Sequence, residues 1–191
     1  MRSRARKPAR RRGWPGTRAV VAAALLLGAA VWGEPFLRHP IRCARLLGEA
    51  LPARLPVPVD GVAAAALEDT WGAPRGEGRA HQGVDVFAPR GTPVRSATHG
   101  IVTRKGWNRL GGWRLLVLGP AGYHHYYAHL DAFAAAERGD WVEQGDVLGY
   151  VGTSGNAATT PPHLHYGLYT WYGRAINPYP FLVGAAGGRP R

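Results

Sequence analysis

With 191 residues, 46% of them hydrophobic, the chain has room for one domain of ordinary size and enough apolar side chains for a core. Its single cysteine excludes an intramolecular disulfide and a structural zinc site built on thiolates. The formal net charge is +12, but eight cations and no acid fall within residues 1–18, so the basicity belongs to a tail and no nucleic-acid partner is expected.

Directly after this tail, Ala19 to Trp32 form an uncharged apolar run, in the basic-then-apolar order of a secretory signal. As a helix the run would span ~21 Å at ~1.5 Å per residue, short of the ~30 Å hydrocarbon core. Extension to Leu37 brings in Glu34 and Pro35, which suit the membrane interface. No clean small-x-small cleavage site ends the run, and its basic region is long. A retained transmembrane anchor over 19–37 is therefore expected in preference to a cleaved signal, with 1–18 as a cytoplasmic tail, because dense arginine resists translocation. The expected location is the cytoplasmic membrane, single-pass, with the remaining chain extracytoplasmic (periplasmic). The alternative is secretion after cleavage. Cys43 follows Pro40-Ile41-Arg42, which is not the setting of a lipidated cysteine, and reads as an inert thiol.

Residues 38–60 read as a linker with a short helix around Ile41 to Leu51, ended by Pro52, Pro56 and Pro58. Val62 to Leu67 suits one or two helical turns. From Val84 onward the signals are those of strands: short β-branched and aromatic runs separated by Gly, Pro and Asn. Strands are predicted at Val84–Phe87, Val94–Ala97, Gly100–Gly106, Trp113–Leu118, Tyr123–Leu130, Val147–Val151 and His163–Tyr169, with a brief helix at Ala132–Arg138. The predicted fold class is mostly β, a compact antiparallel sheet or sandwich over 61–183, followed by a flexible tail, 184–191. No internal repeat and no heptad pattern is present.

Five residues in three short motifs carry the chemistry: His81-Gln-Gly-Val-Asp85, Tyr127-Ala-His129-Leu130 and Pro162-His163-Leu164-His165-Tyr166. Two histidines and a carboxylate make a three-ligand zinc shell with one open position, the arrangement of a catalytic site. Two further histidines remain to handle protons and charge. On a strand, residues two apart share a face, so His163 and His165 point together while Leu164 enters the core. His81 and Asp85 also share a face when extended, and Gly83 leaves room between them. By the same alternation His125 and Tyr127 share a face with His129 and are expected to line the cleft. The chain contains no H-E-x-x-H helix, so the histidines must supply the acid–base work.

In this order the motifs resemble the lysostaphin-type (LytM) zinc endopeptidases of bacterial cell walls. The surrounding text agrees: Pro89-Arg-Gly91-Thr-Pro93-Val94, Gly139-Asp-Trp-Val142, Gly145-Asp-Val-Leu-Gly149, Gly152-Thr-Ser-Gly155 and Asn177-Pro178. The resemblance runs from about Leu55 to Leu182. It implies a lipoyl-hybrid-like β fold, zinc held by His81, Asp85 and His165, and His129 and His163 as catalytic histidines. It also implies hydrolysis of peptide bonds in peptidoglycan, in the stem peptide or the cross-bridge.

Two other readings fit parts of this sequence. One is a non-catalytic regulator that activates another wall hydrolase through the same cleft; the complete ligand set argues against it. Another is a lipoyl- or biotinyl-type carrier, which needs a lysine in the Gly139–Gly152 turn, where none stands. Asp131, Asp140 and Asp146 read as turn formers. His99, His124 and His125 read as surface histidines, with the cleft wall as the alternative place for His125. Trp107, Trp113 and Trp171 are candidates for substrate stacking. The oligomeric state is not written in the sequence.

Overall fold

The computed structural model describes residues 40–184. The tail 1–18, the apolar run 19–37 and residues 185–191 lie outside the described residues. Among the described residues no helix is long and apolar enough to cross a membrane.

The architecture is the expected antiparallel one. Among the described residues nine strands form one sheet: β1 (Val84–Phe87), β2 (Pro93–Arg95), β3 (Gly100–Asn108), β4 (Gly112–Leu118), β5 (His124–Phe133), β6 (Trp141–Val142), β7 (Val147–Val151), β8 (His163–Tyr169) and β9 (Ala175–Ile176). The main path runs β1-β8-β5-β4-β3-β6, with β7 joining β2 to β5 and β9 lying on β8. Three of the predicted strands match to the residue, and the hairpin β3–β4 is longer than predicted. Two-residue β6 and β9 escaped the sequence reading because they are too short to show alternation.

The core is built by alternation. Val84 and Val86 of β1, Leu115 and Val117 of β4, and Leu164, Tyr166 and Leu168 of β8 are fully buried. At about 1.5–3 kcal/mol for each large apolar side chain removed from water, this cluster supplies the main cohesion of the sheet. Tyr127 is buried with them, and its hydroxyl accepts the Ala97 N–H at 2.9 Å.

Three expectations are corrected. The helix predicted at Ala132–Arg138 is absent: β5 continues to Phe133, paired with β7 through Ala132↔Tyr150 and Phe133↔Gly149. Ladder bonds to a neighbouring strand override the weak helical preference of the Ala-rich stretch. The segment read as a linker is part of the domain. Helix α1 (40–48) seats Leu46, which is fully buried. Arg42 and Arg45 lie over the Trp141 ring at 5.4 and 5.8 Å, and Glu49 Oε2 meets His99 Nε2 at 2.6 Å. Leu55 and Val59 then enter the main core, and Val59 bridges Val94. Finally, His125 and Tyr127 face the core, both fully buried. Helix α2 (Tyr179–Val183) closes the described chain with Phe181 and Leu182 buried.

Candidate metal centre

The pairing of β1 with β8 brings two motifs together. Asp85 stands directly opposite His165 and Phe87 opposite His163. Val84 and Val86 point to the core, so Asp85 points to the other face, where His163 and His165 also lie. His81 precedes β1 in a small hairpin closed by Gly72 N–H to His81 O and His81 N–H to Ala73 O, each 2.9 Å. The Cβ that Gly83 lacks would lie 2.6 Å from His165 Cε1 and 2.6 Å from Tyr166 O. Only glycine permits this close passage of the chain beside His165.

The result is a triangle of donor atoms. His81 Nε2 lies 2.7 Å from His165 Nδ1 and 3.0 Å from Asp85 Oδ1, and His165 Nδ1 lies 3.1 Å from Asp85 Oδ1. All three residues are largely buried at the floor of a cleft of about 480 Å³. Arg75, Arg79, Asn108, Leu110, Tyr126 and Tyr169 stand among its walls.

The hydrogen bonds fix the tautomers. The Nδ1–H of His81 donates to Thr70 O at 2.7 Å, because a carbonyl can only accept. Its Nε2 therefore presents a lone pair to the triangle. The Nδ1 of His129 donates to Ser154 O at 2.8 Å, and that of His163 to Pro161 O at 2.8 Å. Each of these rings thus also carries an unprotonated Nε2 in its neutral form. The ring centroids of His129 and His163 are 5.0 Å apart, and that of His129 is 5.9 Å from His165.

Converging lone pairs and a carboxylate demand positive charge, supplied by a proton or a cation. Burial alone would raise the Asp85 carboxyl, but contact with the His165 and His81 rings outweighs it and holds the group far below the usual carboxylate range. Asp85 is ionised at any working pH. Burial lowers His165, and burial with the neighbouring His165 ring lowers His129 to about 4. Two imidazole nitrogens and a carboxylate oxygen, all within 4.8 Å of one another, form a donor set that fits a divalent cation.

The structure therefore gathers all five sequence-identified residues into one cleft. It removes His125 and Tyr127 from it. In the β4–β5 ladder Trp113 pairs with Leu130, but Leu115 pairs with Tyr127, so β5 carries one extra residue around Ala128–His129. His129 takes up that residue with φ 63°, a left-handed conformation that histidine adopts more readily than most residues. The bulge resets the alternation. Tyr126, Ala128 and His129 face the cleft, while His125 and Tyr127 are fully buried on the other side. Trp107, Trp113 and Trp171 are exposed and stand outside the cleft lining. Asp140 and Asp146 cap turns as expected, accepting the N–H of Glu137 and Glu143 at 2.8 Å, whereas Asp131 pairs with Arg90.

Residues of the site that sequence reasoning missed are Thr70, Arg75 and Tyr126. Thr70 and Arg75 lie outside the motifs, and nothing in their spacing marks them. Tyr126 was hidden by the bulge.

The chain is 48% identical over 124 residues to an L-Ala--D-Glu endopeptidase of Bacillus subtilis (strain 168), a match covering 59% of this chain and 38% of that protein. It is 32% identical over 133 residues to the peptidoglycan DD-endopeptidase ShyC of Vibrio cholerae, covering 70% of this chain and 26% of ShyC. Both relatives are thus much longer than the part this chain matches. The solved catalytic domain of the antimicrobial peptidase lysostaphin from Staphylococcus simulans superposes with a TM-score of 0.56 at 30% identity, over 62% of this chain and 93% of that domain. The model of peptidase family M23 matches residues 79–178, which hold all five site residues, and the chain belongs to that family.

Proposed function

We propose that this chain is a zinc-dependent endopeptidase that hydrolyses peptide bonds of peptidoglycan outside the cytoplasmic membrane. The observation that carries the reading is the triangle of His81 Nε2, Asp85 Oδ1 and His165 Nδ1, with two further histidines, each bonded through Nδ1 to a carbonyl, on the same cleft. His81, Asp85 and His165 would hold the ion. A bound zinc ion polarises the scissile carbonyl and makes water nucleophilic near neutral pH.

The chain's own residues do the rest. His129 and His163 stay out of the triangle and are poised by their Nδ1–H bonds to accept a proton at Nε2. One takes the proton of the attacking water and returns it to the departing amine. A ring that carries that proton becomes an N–H donor toward the oxyanion. Peptidoglycan as substrate is supported by the relatives' names and by the sequence order of basic tail and apolar run, which sends the domain across the membrane on a retained anchor. A regulator that merely binds in this cleft has no need of a complete donor set with two poised histidines.

The test is digestion of purified peptidoglycan by the full chain, with mass spectrometry of the fragments, before and after chelation. Zinc-dependent release of peptide fragments is expected. His165→Ala should keep the fold and lose stoichiometric zinc. His129→Ala and His163→Ala should each keep zinc and lose ~10²-fold or more in turnover, the usual scale for a positioned acid–base group. Zinc retained by His165→Ala, or near wild-type turnover in both other variants, refutes the assignment. Membrane fractionation with N-terminal sequencing separates the retained anchor from a cleaved signal.

A further inference from the structure

We infer that Thr70 and Arg75 are positioning residues for the metal centre, together fixing which atoms Asp85 and His81 present to the ion. The inference rests on the zinc reading above. Both residues precede the segment matched by the family model, 79–178.

A carboxylate has two equivalent oxygens and can turn about its last torsion to offer either one or both. Here the two are distinguished. Oδ1 sits in the triangle with His81 and His165, while Oδ2 accepts from Arg75 Nη2 at 2.5 Å. Asp85 is largely buried while the Arg75 side chain is exposed, so the pair is shielded from screening on the carboxylate side alone. Guanidinium is planar and permanently charged, and a charge-assisted bond of this kind holds direction as well as distance. Arg75 thus leaves one oxygen of Asp85 free for the ion and keeps the other occupied.

Thr70 acts on both neighbours at once. Its carbonyl takes the Nδ1–H of His81, which sets the tautomer that frees Nε2. Its Oγ1 accepts the backbone N–H of Asp85 at 3.0 Å. Among the described residues β1 pairs on one side only, with β8, so this outward N–H would otherwise lack a ladder partner. One residue therefore orients a histidine ring by its main chain and anchors the carboxylate's backbone by its side chain. Arg75 arrives from the same hairpin that carries His81. Its N–H donates to Arg79 O at 2.8 Å, and Pro74 bridges Ala80. The same closed hairpin thus holds His81 in the triangle and Arg75 behind it.

The experiment measures zinc affinity of the full chain by competition with a chromogenic chelator, alongside the visible spectrum of the Co²⁺-loaded protein and thermal melting of the metal-free form. Arg75→Gln is expected to weaken zinc binding 10- to 100-fold, the usual effect of losing such an outer partner, and to shift the Co²⁺ bands. Arg75→Lys, which keeps the charge without the fork, should fall between wild type and Arg75→Gln. Thr70→Val should weaken binding while the His81–carbonyl bond survives. Melting of the metal-free Arg75 variants should match wild type. Zinc affinity within twofold of wild type in both Arg75→Gln and Thr70→Val, with unchanged Co²⁺ spectra, overturns the inference alone. A wild-type chain that takes up no zinc overturns both it and the site reading.

Discussion

His125 shows how far one buried ring can depart from its surface behaviour. It is fully buried between sheet faces, with Nδ1 2.7 Å from the Tyr166 hydroxyl. Burial, helped by the neighbouring His124, pushes it down to about 3 from an ordinary value near ~6.5. The sign follows from proton counting. Below ~6.5 the unfolded chain binds a proton here that the native protein refuses until about 3. The contribution of this ring to stability is therefore complete above ~6.5 and is lost as pH falls toward 3. Thermal melting across this range should show a steeper acid decline in wild type than in His125→Gln, which can still bond the Tyr166 hydroxyl. Parallel curves would show that His125 does not drive the acid loss. Neither this burial nor the roles of Thr70 and Arg75 could be read from spacing, because each depends on contacts made across the sheet.

At the scale of elements, the site is a property of the β1–β8 pair. Register alone sets Asp85 across from His165, and a slip of one residue in β1 would turn Asp85 into the core. Gly83 is where this pairing is least tolerant. Gly83→Ala places a methyl group 2.6 Å from both the His165 ring and the Tyr166 carbonyl, so strand or ring must move. A loss of about 1–3 kcal/mol in stability is expected from overpacking, together with weaker metal binding at the candidate site. Chemical denaturation and metal titration check both halves; an unchanged metal affinity would mean that the ring is free to shift. The strands themselves were legible because their cores alternate cleanly, as in Val84-Asp85-Val86. The β5 bulge was not, since an extra residue leaves no mark in a pattern of Tyr, Ala and His.

At the scale of the whole described chain, the domain reaches further toward the N-terminus than its motifs do. Leu46, Leu55 and Val59 are buried, and the first sits on α1. Leu46→Ala should cost about 2–5 kcal/mol, the range for truncating a buried leucine. Equilibrium denaturation measures it, and a loss under about 0.5 kcal/mol, the scale of an ordinary surface change, would show that α1 contributes little. A domain cut at residue 61 should be less stable than one begun before α1, for the same reason.

The sequence by itself determined the antiparallel β character, the five chemistry-bearing residues and the pairing of His163 with His165 on one face. These follow from local rules: strand alternation, turn residues at fixed places, and ligand types in short motifs. Only the tertiary structure decided that His81 Nε2, Asp85 Oδ1 and His165 Nδ1 meet within 3.1 Å, because 80 residues separate Asp85 from His165. It alone set the tautomers, through the carbonyls of Thr70, Ser154 and Pro161. It also exchanged Tyr127 for Tyr126 at the cleft wall, since a single bulged residue inverts a face and local propensity has no term for the register of a neighbouring strand.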